Sequence, residues 1–244
     1  MVDGAAAQGD IAPAVTPYRP SVSTPAALSA PGWVEVEAGF LNSRAIDPAT
    51  RASLPYTFKL AFTPDWGIRV GGDAAVRLRG IDGSTRGGTG DTSVVLKRHF
   101  EVDAASSFGL ELGIQAPTAR AGIGSGHADQ TLNGIYSSDF AANWHVDLNA
   151  WATRLGGADP GAAAWQRGWA AALSRSLSDR YGLVAELSGT RQRGSASTTQ
   201  ALIAASYAPA PAQTFDLGVS KGLTTATGRW SYFFGVTFLL AHLF

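Results

Sequence analysis

Cysteine is absent from the 244 residues of the chain. Its absence excludes disulfide bonds, thiolate nucleophiles and zinc sites built on cysteine. Charged residues are also scarce, at 16% of the chain against roughly 25% in soluble domains, and the 19 basic residues balance the 19 acidic ones. Without an excess of positive charge, the composition indicates no nucleic-acid partner.

Long apolar runs are missing as well. The longest, residues 232–241, is much shorter than the roughly 20 residues that a membrane-spanning helix needs, and its large side chains alternate as they do in a strand. This pattern excludes a helical membrane protein. Residues 1–31 have neither the basic start nor the apolar centre of a signal peptide, so we expect the export signal to be absent from this chain.

The first 31 residues contain five prolines among many alanines, serines and threonines. Such a composition is typical of an extended or flexible segment. We therefore divide the chain into a flexible N-terminal segment, residues 1–31, and a folded domain, residues 32–244. Two interpretations of the segment remain open at this point, namely a plain linker and a plug that enters the folded domain.

Beyond residue 32, segments of about ten residues alternate between apolar and polar side chains, and turn-forming residues separate them. This pattern predicts an all-β fold: a transmembrane antiparallel up-and-down β-barrel of about 12 strands. Long and short connections alternate, as in barrels of the bacterial outer membrane, which have short periplasmic turns and longer extracellular loops. The predicted strands cover residues 33–42, 56–63, 67–79, 92–102, 107–116, 130–140, 143–154, 165–176, 180–190, 198–208, 213–221 and 229–244.

Aromatic residues are concentrated near the predicted short turns. Amphipathic rings favour the lipid headgroup region, so this concentration indicates a membrane girdle. The final strand ends on a terminal phenylalanine, which is typical of outer-membrane barrels. We expect this strand to contact the barrel-assembly machinery and the outer wall to contact outer-membrane lipid. The predicted girdle consists of Phe62, Trp66, Phe100, Phe108, Phe140, Trp144, Tyr181, Tyr207, Phe215 and Phe244.

Strand parity places most charged side chains on the face opposite to the apolar one, which in a membrane barrel is the lumen. Burying an unpaired charge costs several kcal/mol, so such a lumen must be wet, internally paired, or both. The predicted lumen-lining residues are Glu35, Glu37, Lys59, Arg69, Asp73, Arg77, Lys97, His99, Glu101, Glu111, His145, Asp147, Glu186 and Asp216.

Five of these residues form a predicted band. Arg69, Glu111, Asp147, Glu186 and Asp216 each lie about four residues after a predicted short turn, and therefore at a similar height. The basic residues concentrate on the early strands, opposite most of the carboxylates. The pattern has two interpretations: a transverse field that orients polar solutes in an open pore, and a salt-bridge ladder that fills a narrow barrel.

Three stretches resemble the family of outer-membrane proteins assigned to the meta-pathway of phenol degradation. They are residues 63–71 (TPDWGIRVG), 177–183 (LSDRYGL) and 215–223 (FDLGVSKGL), followed by the phenylalanine-terminated strand. The resemblance extends over roughly residues 33–244. It implies a small outer-membrane barrel that passes small solutes, with aromatic or hydrophobic compounds among the candidates, and it supplies no catalytic residue.

Three functions are compatible with this sequence. The first is a passive channel, in which residues 80–91 either constrict the pore or form an external loop. The second is a closed structural or binding barrel that acts through its extracellular loops. The third is a membrane-embedded hydrolase, which needs a serine beside a histidine. His99 and His145 lie near carboxylates but have no well-placed serine, so we predict no enzyme, no catalytic residue, no metal and no cofactor.

Overall fold

The structure, a computed structural model, describes residues 12–44 and 49–244. Thirteen β-strands form in this part of the chain. They are β1 (Trp33–Arg44), β2 (Thr50–Ala61), β3 (Trp66–Arg79), β4 (Thr85–Gly88), β5 (Thr92–Glu101), β6 (Ser106–Ala116), β7 (Asp129–Ala141), β8 (Trp144–Arg154), β9 (Trp165–Ser176), β10 (Tyr181–Gln192), β11 (Thr198–Ala210), β12 (Gln213–Gly222) and β13 (Trp230–His242).

Twelve of the strands close into a ring. Strand β1 pairs with β2 and β13, and β2 pairs with β3, so every strand of the ring has two antiparallel neighbours. Strand β4 pairs only with β3 and extends the connection between β3 and β5. The ring confirms the predicted antiparallel barrel of about 12 strands. No helix in residues 12–44 and 49–244 is long and apolar enough to cross a membrane.

The outer and inner faces of the wall have opposite chemistry. On β6, Phe108, Leu110 and Leu112 are 48%, 41% and 56% exposed, whereas Glu111 between them is 3% exposed. A soluble barrel instead buries its apolar residues and exposes its polar ones. The arrangement seen here suits a wall whose outer face contacts lipid and whose inner face is polar.

Connections at the two ends of the barrel differ in length. At one end, β7 and β8 are joined by residues 142–143 and β11 and β12 by residues 211–212. Asn143 takes a positive φ of 64°, which asparagine tolerates better than most residues do. At the other end, residues 117–128 join β6 to β7 and residues 155–164 join β8 to β9. We call these ends the short-turn rim and the loop rim.

The predicted girdle residues lie at the short-turn rim. Trp66 and Trp144 are half-buried, because Arg98 lies over the Trp66 ring at 5.1 Å and Arg175 over the Trp144 ring at 5.0 Å. A guanidinium stacked on an aromatic face gains a cation–π contact. The others are exposed: Phe62, Phe100, Phe108, Phe140, Tyr181, Tyr207, Phe215 and Phe244.

Two local features depart from strict alternation. Strand β2 begins at Thr50, six residues before its predicted start, and it includes Pro55 where its pairing with β3 is irregular. A proline lacks the amide proton of a regular ladder and is tolerated at a bulge. Between the pairs Ser53–Val76 and Pro55–Asp73, β3 carries one more residue than β2.

The extra residue reverses the parity of β3 beyond Asp73. Val76 is buried at 3% exposure, whereas Arg77 is exposed and opposite Ala52 and Gly87. The predicted place of Arg77 in the lumen is therefore wrong, because a bulge turns the following side chains to the other face. Strand β4 was not predicted either; its four residues, two of them glycine, lack an alternating pattern.

Asp91 connects two long segments at the loop rim. The amides of Ala119 and Ser125 each donate to its carboxylate at 3.0 Å, and Gln115 Nε2 donates at 3.3 Å. Partial burial opposes ionisation, but these hydrogen bonds outweigh it and hold the pKa of Asp91 below its usual range. The ionised carboxylate therefore fixes the segment after β6 against the start of β5.

Replacing Asp91 with alanine is expected to speed amide hydrogen exchange at Ala119 and Ser125 at neutral pH. Since folding lowers the pKa, the carboxylate contributes fully above its ordinary pKa of about 3.9, and the contribution is lost as the pH falls through the lower folded value. Exchange in the turn at residues 142–143 serves as the internal control. Unchanged protection of both amides in Asp91→Ala would contradict this role.

Candidate functional site

Residues 12–31, which we call the inner segment, run through the lumen from the short-turn rim. The amide of Gly32 donates to the carbonyl of Ala61 at 2.8 Å, which holds one end of the segment at the end of β2. The amide of Val15 donates to Pro211, in the short turn between β11 and β12, also at 2.8 Å. Both ends of the stretch 15–32 therefore lie at the same rim, and the residues between them form a loop within the barrel.

Tyr18 is the main anchor of the inner segment. It is 7% exposed, and two ammonium groups lie close to its ring, with Lys59 Nζ 4.1 Å and Lys97 Nζ 4.3 Å from the ring centroid. Its amide donates to Glu37 Oε1 at 2.6 Å, and its hydroxyl donates to the carbonyl of Ala27 at 2.9 Å. These contacts join both arms of the loop to β1, β2 and β5.

Two further contacts extend from the inner segment to the far strands. Arg19 forms a two-point contact with the carboxylate of Asp216 on β12, at 3.1 and 3.2 Å. The amide and hydroxyl of Ser23 both donate to Glu186 Oε2 on β10, at 2.8 and 2.9 Å. Glu186 is 3% exposed, so the segment supplies hydrogen bonds that a buried carboxylate needs.

The second half of the loop contacts the opposite wall. The amide of Thr24 donates to Asn149 Oδ1 on β8 at 3.0 Å, and Asn149 Nδ2 donates back to the carbonyl of Thr24 at 2.9 Å. The amide of Ala26 donates to Ser137 Oγ on β7 at 2.8 Å, and Lys97 donates to the carbonyl of Pro25. The reciprocal pair with Asn149 fixes the backbone of the loop at this point.

Taken together, the contacts of the inner segment reach strands β1, β2, β5, β6, β7, β8, β10 and β12. All of the wall residues involved lie between the short-turn rim and the middle of their strands. The segment thus crosses this part of the lumen instead of following one side of the wall.

The wall charges beside the segment are paired. Lys59 Nζ lies 2.5 Å from Oε1 of Glu35 and 2.5 Å from Oε1 of Glu37, and all three side chains are almost fully buried. Glu111 accepts from Arg69 at 3.2 Å and lies 3.6 Å from Lys97 Nζ. The carboxylates and ammonium groups of this region neutralise one another between adjacent strands, as in the salt-bridge-ladder interpretation.

The predicted lumen residues fall into three groups by exposure. Arg77 and Glu101 are exposed, the latter because it ends β5 at the short-turn rim. Asp73 is half-buried and pairs with Arg51 at 2.7 Å, and Arg69, His99 and His145 are half-buried as well. Eight others are buried: Glu35, Glu37, Lys59, Lys97, Glu111, Asp147, Glu186 and Asp216.

His145 does not form a hydrolase site with a neighbouring serine. Its Nδ1 lies 2.7 Å from Asp139 and its Nε2 lies 3.1 Å from Asp147, so carboxylates contact both ring nitrogens. Ser137 donates to Asp147, not to the histidine. A serine nucleophile requires a histidine nitrogen as its base, and this arrangement directs neither nitrogen towards Ser137.

The inner segment holds the site residues that sequence reasoning did not select. Tyr18 is the only aromatic residue in the first 31 positions, and Arg19 is the only basic one. This pair is the signal in the sequence that could have identified Tyr18 and Arg19 as site residues, because a plain linker does not require an aromatic ring beside a guanidinium group. Ser23 and Thr24 carry no comparable signal.

The sequence matches no protein family model and no curated relative. The fold, however, is similar to several solved structures. The COG4313 outer membrane channel from Pseudomonas putida F1 has a TM-score of 0.67 at 14% identity, over 88% of this chain and 97% of that one. The KdgM porin has a TM-score of 0.62 at 10% identity, over 85% of this chain and 100% of that one. The fold is that of outer-membrane channel barrels.

A third solved structure, the CymD monoaromatic hydrocarbon channel, has a TM-score of 0.53 at 8% identity, over 86% of this chain and 89% of that one. At such identities, shared architecture does not transfer a ligand, so the chemistry of the site rests on the residues of this chain. Those residues form a polar lumen crossed by the inner segment.

Proposed function

We propose that this chain is a channel of the bacterial outer membrane for the passive passage of small solutes. The proposal rests on the distribution of side chains in the wall, which is the opposite of that in a soluble barrel. Apolar side chains face outward, while eight ionisable side chains are buried on the inner face. Closed barrels span membranes because no strand edge is left unpaired in lipid. The names of the structures with a similar fold, an outer membrane channel and a porin, support the same function.

We propose further that the inner segment is a plug for this channel. The segment bonds to eight of the twelve ring strands, and a cavity of about 410 Å³ remains between it and strands β8–β12. Every bond is non-covalent, and both ends of the loop lie at the same rim. The segment can therefore leave the lumen without any break in the barrel wall.

Small polar solutes are the class that the lumen favours. A path lined by carboxylates, ammonium groups, serines and asparagines offers hydrogen bonds and charge, and Leu202, Ala204 and Phe233 add an apolar cluster to the inner face. Aromatic or hydrophobic compounds are the class implied by resemblance to the phenol meta-pathway family. An aromatic anion is both polar and aromatic, and its carboxylate can pair with Arg69 or Lys97 when the inner segment leaves.

A closed structural or binding barrel is the second candidate. The observation in its favour is the same set of contacts between the inner segment and the wall, because a segment that never leaves would seal the lumen permanently. The loops at the other rim would then carry the function. The contacts of His145 do not favour a hydrolase. For either candidate, we propose membrane lipid and the barrel-assembly machinery as partners.

Solute flux through proteoliposomes tests the proposed function. We expect vesicles that contain the chain without residues 2–28 to swell in solutions of a small sugar and of benzoate, at rates that fall as the solute grows from a mono- to a trisaccharide. The whole chain should give slower swelling under the same conditions. Vesicles without protein provide the baseline. Baseline rates for both forms of the protein would reject the channel in favour of the closed barrel.

A further inference from the structure

Outward-facing arginines are concentrated on β9 and β10 near the loop rim. Arg167 and Arg191 are directly opposite each other across the two antiparallel strands, and both are exposed. On the inner face of the same strands, Ala170, Ala172, Glu186 and other residues are buried. Parity therefore directs the two guanidinium groups away from the lumen, onto the outer wall. We call this pair, with the surface around it, the arginine patch.

Like charges at directly opposite positions of an antiparallel pair destabilise it, since their Cβ atoms are only about 4.5–5.5 Å apart. Within residues 12–44 and 49–244, neither Arg167 nor Arg191 forms a salt bridge with a carboxylate, and neither lies over an aromatic ring. The outward arginines at the short-turn rim differ in this respect, since Arg98 and Arg175 each stack on a tryptophan. Among the residues that the structure describes, the arginine patch thus has no acidic or aromatic partner for its positive charge.

Two tryptophans flank the patch. Trp165 and Trp169 lie on the same face of β9, on either side of Arg167 in the strand, and are 57% and 45% exposed. Together with Arg191 and Arg193 they line a surface groove of about 830 Å³. Tryptophan indoles favour the level of lipid headgroups, so the groove lies where a membrane-embedded barrel meets the headgroups.

Gly189 leaves room for one of these rings. It is opposite Trp169 on β10, and a Cβ at this position would come within 3.4 Å of Trp169 Nε1 and 2.5 Å of the carbonyl of Thr198. The wall is therefore flat beside Trp169, and the indole can lie against it. The groove combines two exposed indoles with three guanidinium groups and several hydroxyl side chains, which matches a molecule that is both apolar and anionic.

From these observations, we propose that the arginine patch binds the phosphate groups of an anionic lipid in the leaflet at the loop rim. Guanidinium groups bind phosphate oxygens through two parallel hydrogen bonds, and one phosphate between Arg167 and Arg191 would relieve their mutual repulsion. A lipid is favoured over free phosphate because the groove is flanked by exposed indoles at headgroup level. The proposal rests on the proposed membrane location but not on conduction.

Binding of lipopolysaccharide to the detergent-solubilised whole chain tests the proposal. Titration of rough lipopolysaccharide should give saturable binding, and the Arg167→Gln/Arg191→Gln variant should bind at least about tenfold more weakly, since it loses the charge-assisted hydrogen bonds to phosphate. The matched control is Arg98→Gln/Arg175→Gln, which removes two outward arginines at the opposite rim and should bind like the wild type. Arg191→Lys keeps the charge but loses the two-point geometry, and it should give an intermediate affinity.

Several outcomes would overturn the proposal. One is an equal loss of binding in the control variant, which would indicate attraction to net charge alone. Another is equal affinity for lipopolysaccharide stripped of its phosphates, and a third is comparable binding of free inorganic phosphate at the same arginines. Conduction by the same samples is measured separately, so a conducting barrel without lipid binding rejects only the patch, and a lipid-binding barrel without flux rejects only the channel.

Discussion

Removal of residues 2–28 is expected to change a barrel that passes little current into one with a steady single-channel conductance. The inner segment narrows the lumen with backbone and with side chains such as Tyr18, whose ring centroid lies 4.1 Å from Lys59 Nζ and 4.3 Å from Lys97 Nζ. Without it, water can hydrate the wall charges, and ions can follow them. Recording currents of both forms in planar lipid bilayers measures the difference.

The matched control for this deletion replaces residues 12–28 with a glycine–serine sequence of equal length. It keeps the chain length but removes Tyr18, Arg19 and Ser23, so the substitute segment lacks its anchors. We expect the current through this variant to switch between open and closed levels, because an unanchored chain leaves the lumen easily. Equal conductance of the whole and truncated chains would show that the segment does not limit the current.

Lys59→Met is expected to destabilise the folded barrel strongly. Lys59 Nζ lies 2.5 Å from each of the carboxylates of Glu35 and Glu37, and the three side chains are at most 4% exposed. Removing one partner of a buried ion pair leaves an uncompensated charge, which costs about 3–5 kcal/mol. The free energy of unfolding from urea titration in lipid vesicles measures the loss.

Lys221→Met is the control for this substitution, because Lys221 is exposed on the outer wall. Its Nζ lies 5.3 Å from the centroid of the Trp230 ring, so its loss should change the stability by about 1 kcal/mol or less. A triple variant, Lys59→Met/Glu35→Gln/Glu37→Gln, should recover part of the loss, since it removes the unpaired charges together with the lysine. A loss for Lys59→Met no larger than that for Lys221→Met would mean that the buried charges are hydrated and not paired.

Much of the fold could be predicted from the sequence, since a membrane wall has a simple rule. Each strand alternates between lipid and lumen, so parity alone places Leu110 outside and Glu111 inside. The rule fails where the backbone departs from regular geometry. Arg77 is misplaced because β3 carries an extra residue beside Pro55, and nothing in the alternation of β3 marks that bulge. The early start of β2 was missed because a proline normally ends a strand prediction.

The site was less predictable, because it depends on contacts between residues far apart in sequence. The buried carboxylates could be assigned to the inner face, but their partners in residues 12–31 have no periodic pattern. Ser23 meets Glu186, 163 positions later, and Arg19 meets Asp216, 197 positions later. No local rule connects such pairs, and the composition of the segment is equally typical of a linker.

The strands that the inner segment contacts also limit the order in which the molecule can assemble. Tyr18 needs β1, β2 and β5, Ser23 needs β10, and Arg19 needs β12, so its binding surface is shared between the two ends and the middle of the chain. That surface does not exist until β13 joins β1 and completes the ring. We therefore expect the segment, although it comes first in the sequence, to be the last part of the chain to make all of its contacts.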